Sequence, residues 1–137
     1  MAFDLDEVPV GAVIVNEGRL VARAHNQVEQ LKDPTAHAEM IAVTQAAGTL
    51  GVKWLHGCSL FVTVEPCSMC AGALVLARID RVVFGAFDPK TGACGSLYNL
   101  SRDFPHNHQP EITGGVMEDE CGLLMSRFFQ IKRGRLN

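Results

Sequence analysis

Leu-Phe-Val-Thr-Val-Glu-Pro-Cys-Ser-Met-Cys-Ala-Gly-Ala-Leu-Val, residues 60–75, reads as a strand that stops abruptly and turns into a helix. Residues 60–64 are rich in β-branched and aromatic side chains, the composition of a strand. Glu65-Pro66 closes it, because proline offers no N–H to a ladder yet is well tolerated in the first turn of a helix. Residues 68–77 are largely apolar, which predicts a helix buried on most sides. Cys67 and Cys70 are three apart, so in a first helical turn both sulfurs lie on one side.

Working outward, residues 10–15 are a β-branched run, Asn16-Glu17-Gly18 is a turn and 20–25 a second strand, together a hairpin. A polar loop over 26–34 ends in Asp33-Pro34, a helix entry, and helix formers fill 35–47 up to Gly48, expected to stop that helix. On the other side, 81–87 predicts a strand leading into the loop Asp88-Pro89-Lys90-Thr91-Gly92. Residues 96–110 read as irregular and 111–117 as a last strand. Glu118, Asp119 and Glu120 then place three acids in the first turn of a C-terminal helix, as the helix dipole favours. Its Leu123, Leu124, Phe128 and Ile131 form one apolar stripe. A hairpin followed by strand–helix alternation implies an α/β chain with a mixed sheet and helices on both faces, one domain over 1–137.

Bulk properties narrow the class. The 137 residues suffice for a core without disulfides, and 47% hydrophobic with 20% charged residues is ordinary for a globular protein. A formal net charge of −3 argues against a strongly basic nucleic-acid binder but does not exclude a local patch. Arg127, Lys132, Arg133 and Arg135 are one such group, read first as a solvated helix end and second as a nucleic-acid contact. Five cysteines in a chain that opens on acidic Met-Ala-Phe-Asp-Leu-Asp-Glu, with no secretory leader and no membrane-length apolar run, predict a cytoplasmic protein with reduced thiols. Paired cysteines in that setting point to a metal or to catalysis.

Two segments carry chemistry: His37-Ala38-Glu39 and Pro66-Cys67-Ser68-Met69-Cys70. Each falls at a predicted helix start, where the dipole favours thiolate. His37, Cys67 and Cys70 make three ligands for a zinc ion and leave a fourth position open to water, the pattern of catalytic rather than structural zinc. Glu39 follows His37 by two positions and serves the same site only if the pair caps the helix end; there a carboxylate can shuttle protons. Alone, C-x-x-C also fits a redox pair or half a structural site, and H-x-E also fits a solvated helix face. Together, H-x-E followed by P-C-x-x-C is the signature of zinc-dependent base deaminases. A structural-zinc reading needs a fourth ligand from Cys58, Cys94 or Cys121, which read more simply as small buried residues.

On these residues the chain resembles the bacterial tRNA-specific adenosine deaminases, the wobble-adenosine editors. The resemblance runs from about residue 6 to 130: D-E-V-P-V-G-A-V at 6–13, D-P-T-A-H-A-E-M at 33–40, E-P-C-S-M-C-A-G-A at 65–73, R-V-V-F-G-A at 81–86, D-P-K-T-G-A-C-G-S-L at 88–97, and Asn107-His108. It implies the cytidine-deaminase-like fold, a three-layer α/β/α arrangement around a five-stranded mixed sheet, as a homodimer with one Zn2+ per subunit. It implies hydrolysis of adenosine to inosine at the first anticodon base of an arginine tRNA, with Glu39 protonating N1 and then the departing amine. It further implies that Asn26 binds the base, that Val8 and Pro9 wall the pocket, and that Ala38 supplies a backbone amide. Asp88, Lys90, Asn107 and His108 are implied to line the path of the tRNA anticodon loop. An unpaired loop lets the target base splay into a pocket at little unstacking cost.

The chain departs from this family in two places. Relatives carry an amphipathic helix before D-E-V-P-V, of which Ala2-Phe3-Asp4-Leu5 resembles only the last turn; its loss is expected to expose an apolar strip on one sheet face. Phe87 stands where many relatives have a polar or basic residue. The zinc motif also fits a deaminase of free cytosine, guanine or cytidine, or a non-catalytic zinc module, and the sequence permits an engineered variant acting on DNA adenine.

Overall fold

Glu17 and Gly18 both take positive φ, 51° and 75°, as the tightest hairpin turns require. They fold Gly11–Asn16 (β1) back onto Arg19–His25 (β2), antiparallel, with an irregularity in register between Ile14 and Val15. In the computed structural model, which describes residues 7–103 and 105–136, these strands form one edge of a five-stranded sheet of order β2-β1-β3-β4-β5. Cys58–Val64 (β3) runs antiparallel to β1, while Arg81–Ala86 (β4) and Glu111–Thr113 (β5) continue parallel to β3. The helices are Val28–Leu31 (α1), Ala38–Leu50 (α2), Ser68–Leu76 (α3), Leu100–Asp103 (α4) and Glu118–Leu136 (α5). The expected mixed sheet with helices on both faces is what the chain forms.

The core sits between the sheet and α2 with α3. Ala38, Ala42 and Ala46 recur every four residues, so α2 turns one smooth stripe toward the sheet. Ile14, Leu60, Val62, Val82 and Phe84 meet it from alternate strand positions, with Leu74 from α3 filling the gap. Full burial of a side chain such as Leu60 contributes about 1.5–3 kcal/mol. The opposite parity of the same strands, Thr63, Val83 and Gly85, faces Cys121 and Leu124 of α5. A Cβ on Gly85 would strike the Cys121 side chain and stand 2.7 Å from the Thr63 carbonyl oxygen, so a glycine lets α5 seat closely.

Several expected boundaries move. The helix predicted over 35–47 begins at Ala38, because Asp33 spends its carboxylate on the Thr35 amide at 2.9 Å and hydroxyl at 2.8 Å, closing a turn before the helix. It runs past Gly48 and ends at Gly51, whose φ of 68° makes the left-handed cap. The loop over 26–34 contains α1, the irregular 96–110 stretch contains α4, and the last strand is only Glu111–Thr113. The α5 stripe needs the largest correction: Leu123 is 60% exposed and Phe128 4%. The expected helix turn over Ala2-Phe3-Asp4-Leu5 lies outside the described residues, as does the side chain of Arg135. Among the described residues no helix is long and apolar enough to cross a membrane.

Candidate active site

Both chemical segments end up as helix N-caps. His37 caps α2 in extended backbone (φ −74°, ψ 151°) and Cys67 caps α3 the same way (φ −75°, ψ 177°). The His37 side chain makes no bond to its own helix and is free to leave the helix end, whereas the Cys67 sulfur stays within its own first turn, bonded to Cys70. The Nδ1 of His37 stands 3.6 Å from Cys67 Sγ and 3.5 Å from Cys70 Sγ. Zinc bonds of about 2.3 Å to sulfur and about 2.1 Å to nitrogen, at the tetrahedral angle, put those atoms about 3.6 Å apart. All three ligand atoms lie within 4.8 Å of one another. The donor set therefore fits zinc, and no further His, Cys, Asp or Glu joins it among the described residues. Cys58 and Cys94 are buried elsewhere, while Cys121 is only half-buried against Gly85, a correction to its reading as a core residue.

The electrostatics follow from this crowding. The Cys67 thiol is pulled down to about 4, first by the hydrogen bond with Cys70 and then by that with His37. Cys70 is pushed up as the partner that keeps the proton, and His37 is raised by its bond to Cys67. Burial raises the Glu39 carboxyl. Glu39 is 4% exposed, and its Oε1 is a buried oxygen with no hydrogen-bond partner.

These groups border a cavity of about 500 Å³, within the range of small-molecule sites. Val8, Asn26 and Asp88 line it with His37, Glu39 and Cys67. Ala38 is fully buried at the first turn of α2, where backbone N–H groups lack intrahelical partners. Asp88 commits its carboxylate to its own loop, accepting from the Lys90 amide at 3.0 Å and the Thr91 hydroxyl at 2.7 Å. Lys90 is exposed beside it. Phe87 packs edge-on against Phe84, with ring centroids 5.0 Å apart.

Three expected residues stand apart from the cavity. Pro9 is buried against the α5-facing side of the sheet. His108 Nε2 bonds the Ile79 carbonyl at 2.6 Å, at the entry to β4, whereas the cavity lies at the strand's exit. Six residues of β4 separate those ends by about 17 Å. Asn107, exposed next to His108, shares that position. Conversely, sequence reading missed Met125, Phe128 and Phe129 of α5 as site residues and read Lys132 only as part of a basic group; the four form one cavity wall. The adjacent aromatic pair and the basic group were their visible signals. Glu7 was also missed; it is fully buried and accepts from the Glu29 and Gln30 amides at 2.9 and 2.6 Å, holding the segment after Asn26.

Residues 1–86 match the family described as the cytidine and deoxycytidylate deaminase zinc-binding region. The chain is 52% identical to a tRNA-specific adenosine deaminase of Bacillus subtilis (strain 168), over 94% of this chain and 80% of that one. It is 48% identical to a tRNA-specific adenosine deaminase of Aquifex aeolicus (strain VF5), over 98% and 89%. A solved structure from a study of A-to-I editing by tRNA:A34 deaminases at the wobble position of transfer RNA superposes with a TM-score of 0.84 at 44% identity, covering 90% of this chain and 89% of that one.

Proposed function

This chain belongs to the tRNA-specific adenosine deaminases, within the zinc-binding cytidine and deoxycytidylate deaminase family, and on that premise we propose that it converts adenosine to inosine at the first anticodon base of an arginine tRNA. His37, Cys67 and Cys70 would hold one zinc ion per subunit. When bound, zinc supplies Lewis acidity that makes water a competent nucleophile near neutral pH. The chain's own carboxylate does the proton work. Glu39 accepts a proton as water adds to C6, delivers it to N1, and carries a second to the amino group as the C6–N bond breaks. Adenosine and water thus become inosine and ammonia.

The observation that carries this reading is the buried, unpartnered oxygen of Glu39, which lines the same cavity as His37 and Cys67 of the His-Cys-Cys set. A carboxyl raised by burial suits both taking and returning a proton. On this reading Asn26 and Val8, which line the cavity, would border the base and the Ala38 amide would donate to it, while Pro9 lies on the α5-facing side of the sheet. Asp88 and Lys90 belong to a loop beside the cavity mouth and would meet the flanking RNA. Asn107 and His108 would reach RNA only outside the cavity. The same reading makes the protein a homodimer acting in the cytoplasm.

The test is inosine formation and ammonia release on an arginine-tRNA anticodon stem-loop, with and without a chelator. Turnover abolished by chelation and restored by zinc is expected. Turnover of free base or nucleoside with none on the stem-loop would overturn the proposal.

A further inference from the structure

Glu65 directly precedes the Pro66-Cys67 turn, is 3% exposed and forms no ion pair with a cation among the described residues. Its charge is answered by four donors from one segment. Oε1 accepts from the Asp88 amide at 3.0 Å and from the Ser96 hydroxyl; Oε2 accepts from the Cys94 amide at 3.0 Å and the Ser96 amide at 2.9 Å. The same segment is stitched to the ligand turn by the Ala93 amide donating to the Pro66 carbonyl at 2.9 Å and by a bridge between Cys67 and Gly92. A Cβ on Gly92 would collide with the Glu65 carboxylate, so the approach demands glycine. Asp88 braces the segment internally, and both Asp88 and Thr91 face the cavity.

We propose that Glu65 is the positioning residue of this cavity: its carboxylate latches residues 88–96 onto the start of α3 and thereby sets where the wall of Asp88 and Thr91 stands relative to Cys67. Its effect on turnover rests on the deaminase reading; the latch itself does not. Glu65→Gln keeps the side-chain size but trades one acceptor for a donor. At the Oε2 position that NH2 would face two amides, so it must take the Oε1 position, where the Ser96 hydroxyl can rotate to accept. The Asp88 amide then loses its partner.

The experiment combines amide hydrogen exchange, zinc content and steady-state kinetics on the anticodon stem-loop for Glu65→Gln and Ser96→Ala. Losing a charge-assisted bond should speed exchange at Asp88 about tenfold or more, with the strands unchanged. KM should rise about tenfold while kcat and zinc content hold, the mark of lost substrate positioning. Unchanged exchange at Asp88 overturns the latch. So does a fall in melting temperature with KM unmoved, which is what a merely structural residue would give. If Glu65→Gln does not fold, Ser96→Ala decides: a KM raised about two- to fivefold supports the latch, and an unmoved KM sinks it. If the wild-type protein turns over no stem-loop, the deaminase reading falls while the exchange measurement still decides the latch.

Discussion

Glu39 follows His37 by two positions, a spacing that inside a helix turns side chains about 200° apart. The two share a site because His37 is the cap, still in extended backbone, and only Glu39 is inside the helix. On the proposed mechanism, replacing Glu39 by Ala removes the proton carrier but none of the donors of the metal set. We expect kcat on the stem-loop to fall about 10³-fold while metal analysis still finds zinc. Loss of zinc together with activity would instead make Glu39 part of the metal-holding structure. Cys94 gives a second test at this scale. Burial pushes its thiol up to about 12, so the thiolate stays scarce through pH 9. Maleimide should therefore leave Cys94 unlabelled from pH 7 to 9 in the folded protein and modify it only after denaturation, as peptide mapping would show.

At the scale of elements, α5 has two duties. It covers the sheet through Cys121 at Gly85, and it carries Phe128 and Phe129 into the cavity wall. Gly85→Ala should push the helix off β4 and cost about 1–3 kcal/mol, read as a lower melting temperature. Adding Cys121→Ala should recover only part of that loss, because the Thr63 carbonyl oxygen, 2.7 Å from the added Cβ, is backbone and cannot swing aside. The apolar spacing of α5 announces an amphipathic helix but not its rotation. Leu123 and Ile131 meet solvent while Phe128 is buried, since the facing surface is a cavity rim rather than a flat sheet. Likewise Gly48 stays helical and Gly51 ends α2, because Gly51, not Gly48, adopts the left-handed φ of a C-cap.

For the molecule as a whole, zinc would tie two helix starts to one point. Zinc binding favours only the folded state, so chelation should lower the melting temperature, by the equivalent of about 4 kcal/mol where free zinc had stood near 1,000 times its Kd. A melting curve indifferent to chelator would argue against the metal set. RNA affinity should depend on salt in spite of the net charge of −3. With two or three phosphates neutralised, stem-loop Kd should weaken about tenfold between 50 and 200 mM salt. A flat response would mean that base contacts alone hold the substrate.

The His-Cys-Cys group with Glu39 beside it, the hairpin and the mixed sheet were legible in the amino-acid order because each rests on local rules. Proline closes a strand, Glu17-Gly18 turns a hairpin, and cysteines three apart share a helix side. Tertiary structure alone decided the rest. His37 meets Cys67 across 30 positions only because β1 and β3 pair and bring the starts of α2 and α3 to one end of the sheet. The same strand order sends His108 to the far end, turns α5 into the cavity and folds the 88–96 segment over Glu65. Side-chain period sets which face of an element is apolar; which elements share an end of the sheet depends on long-range pairing, which no local pattern encodes.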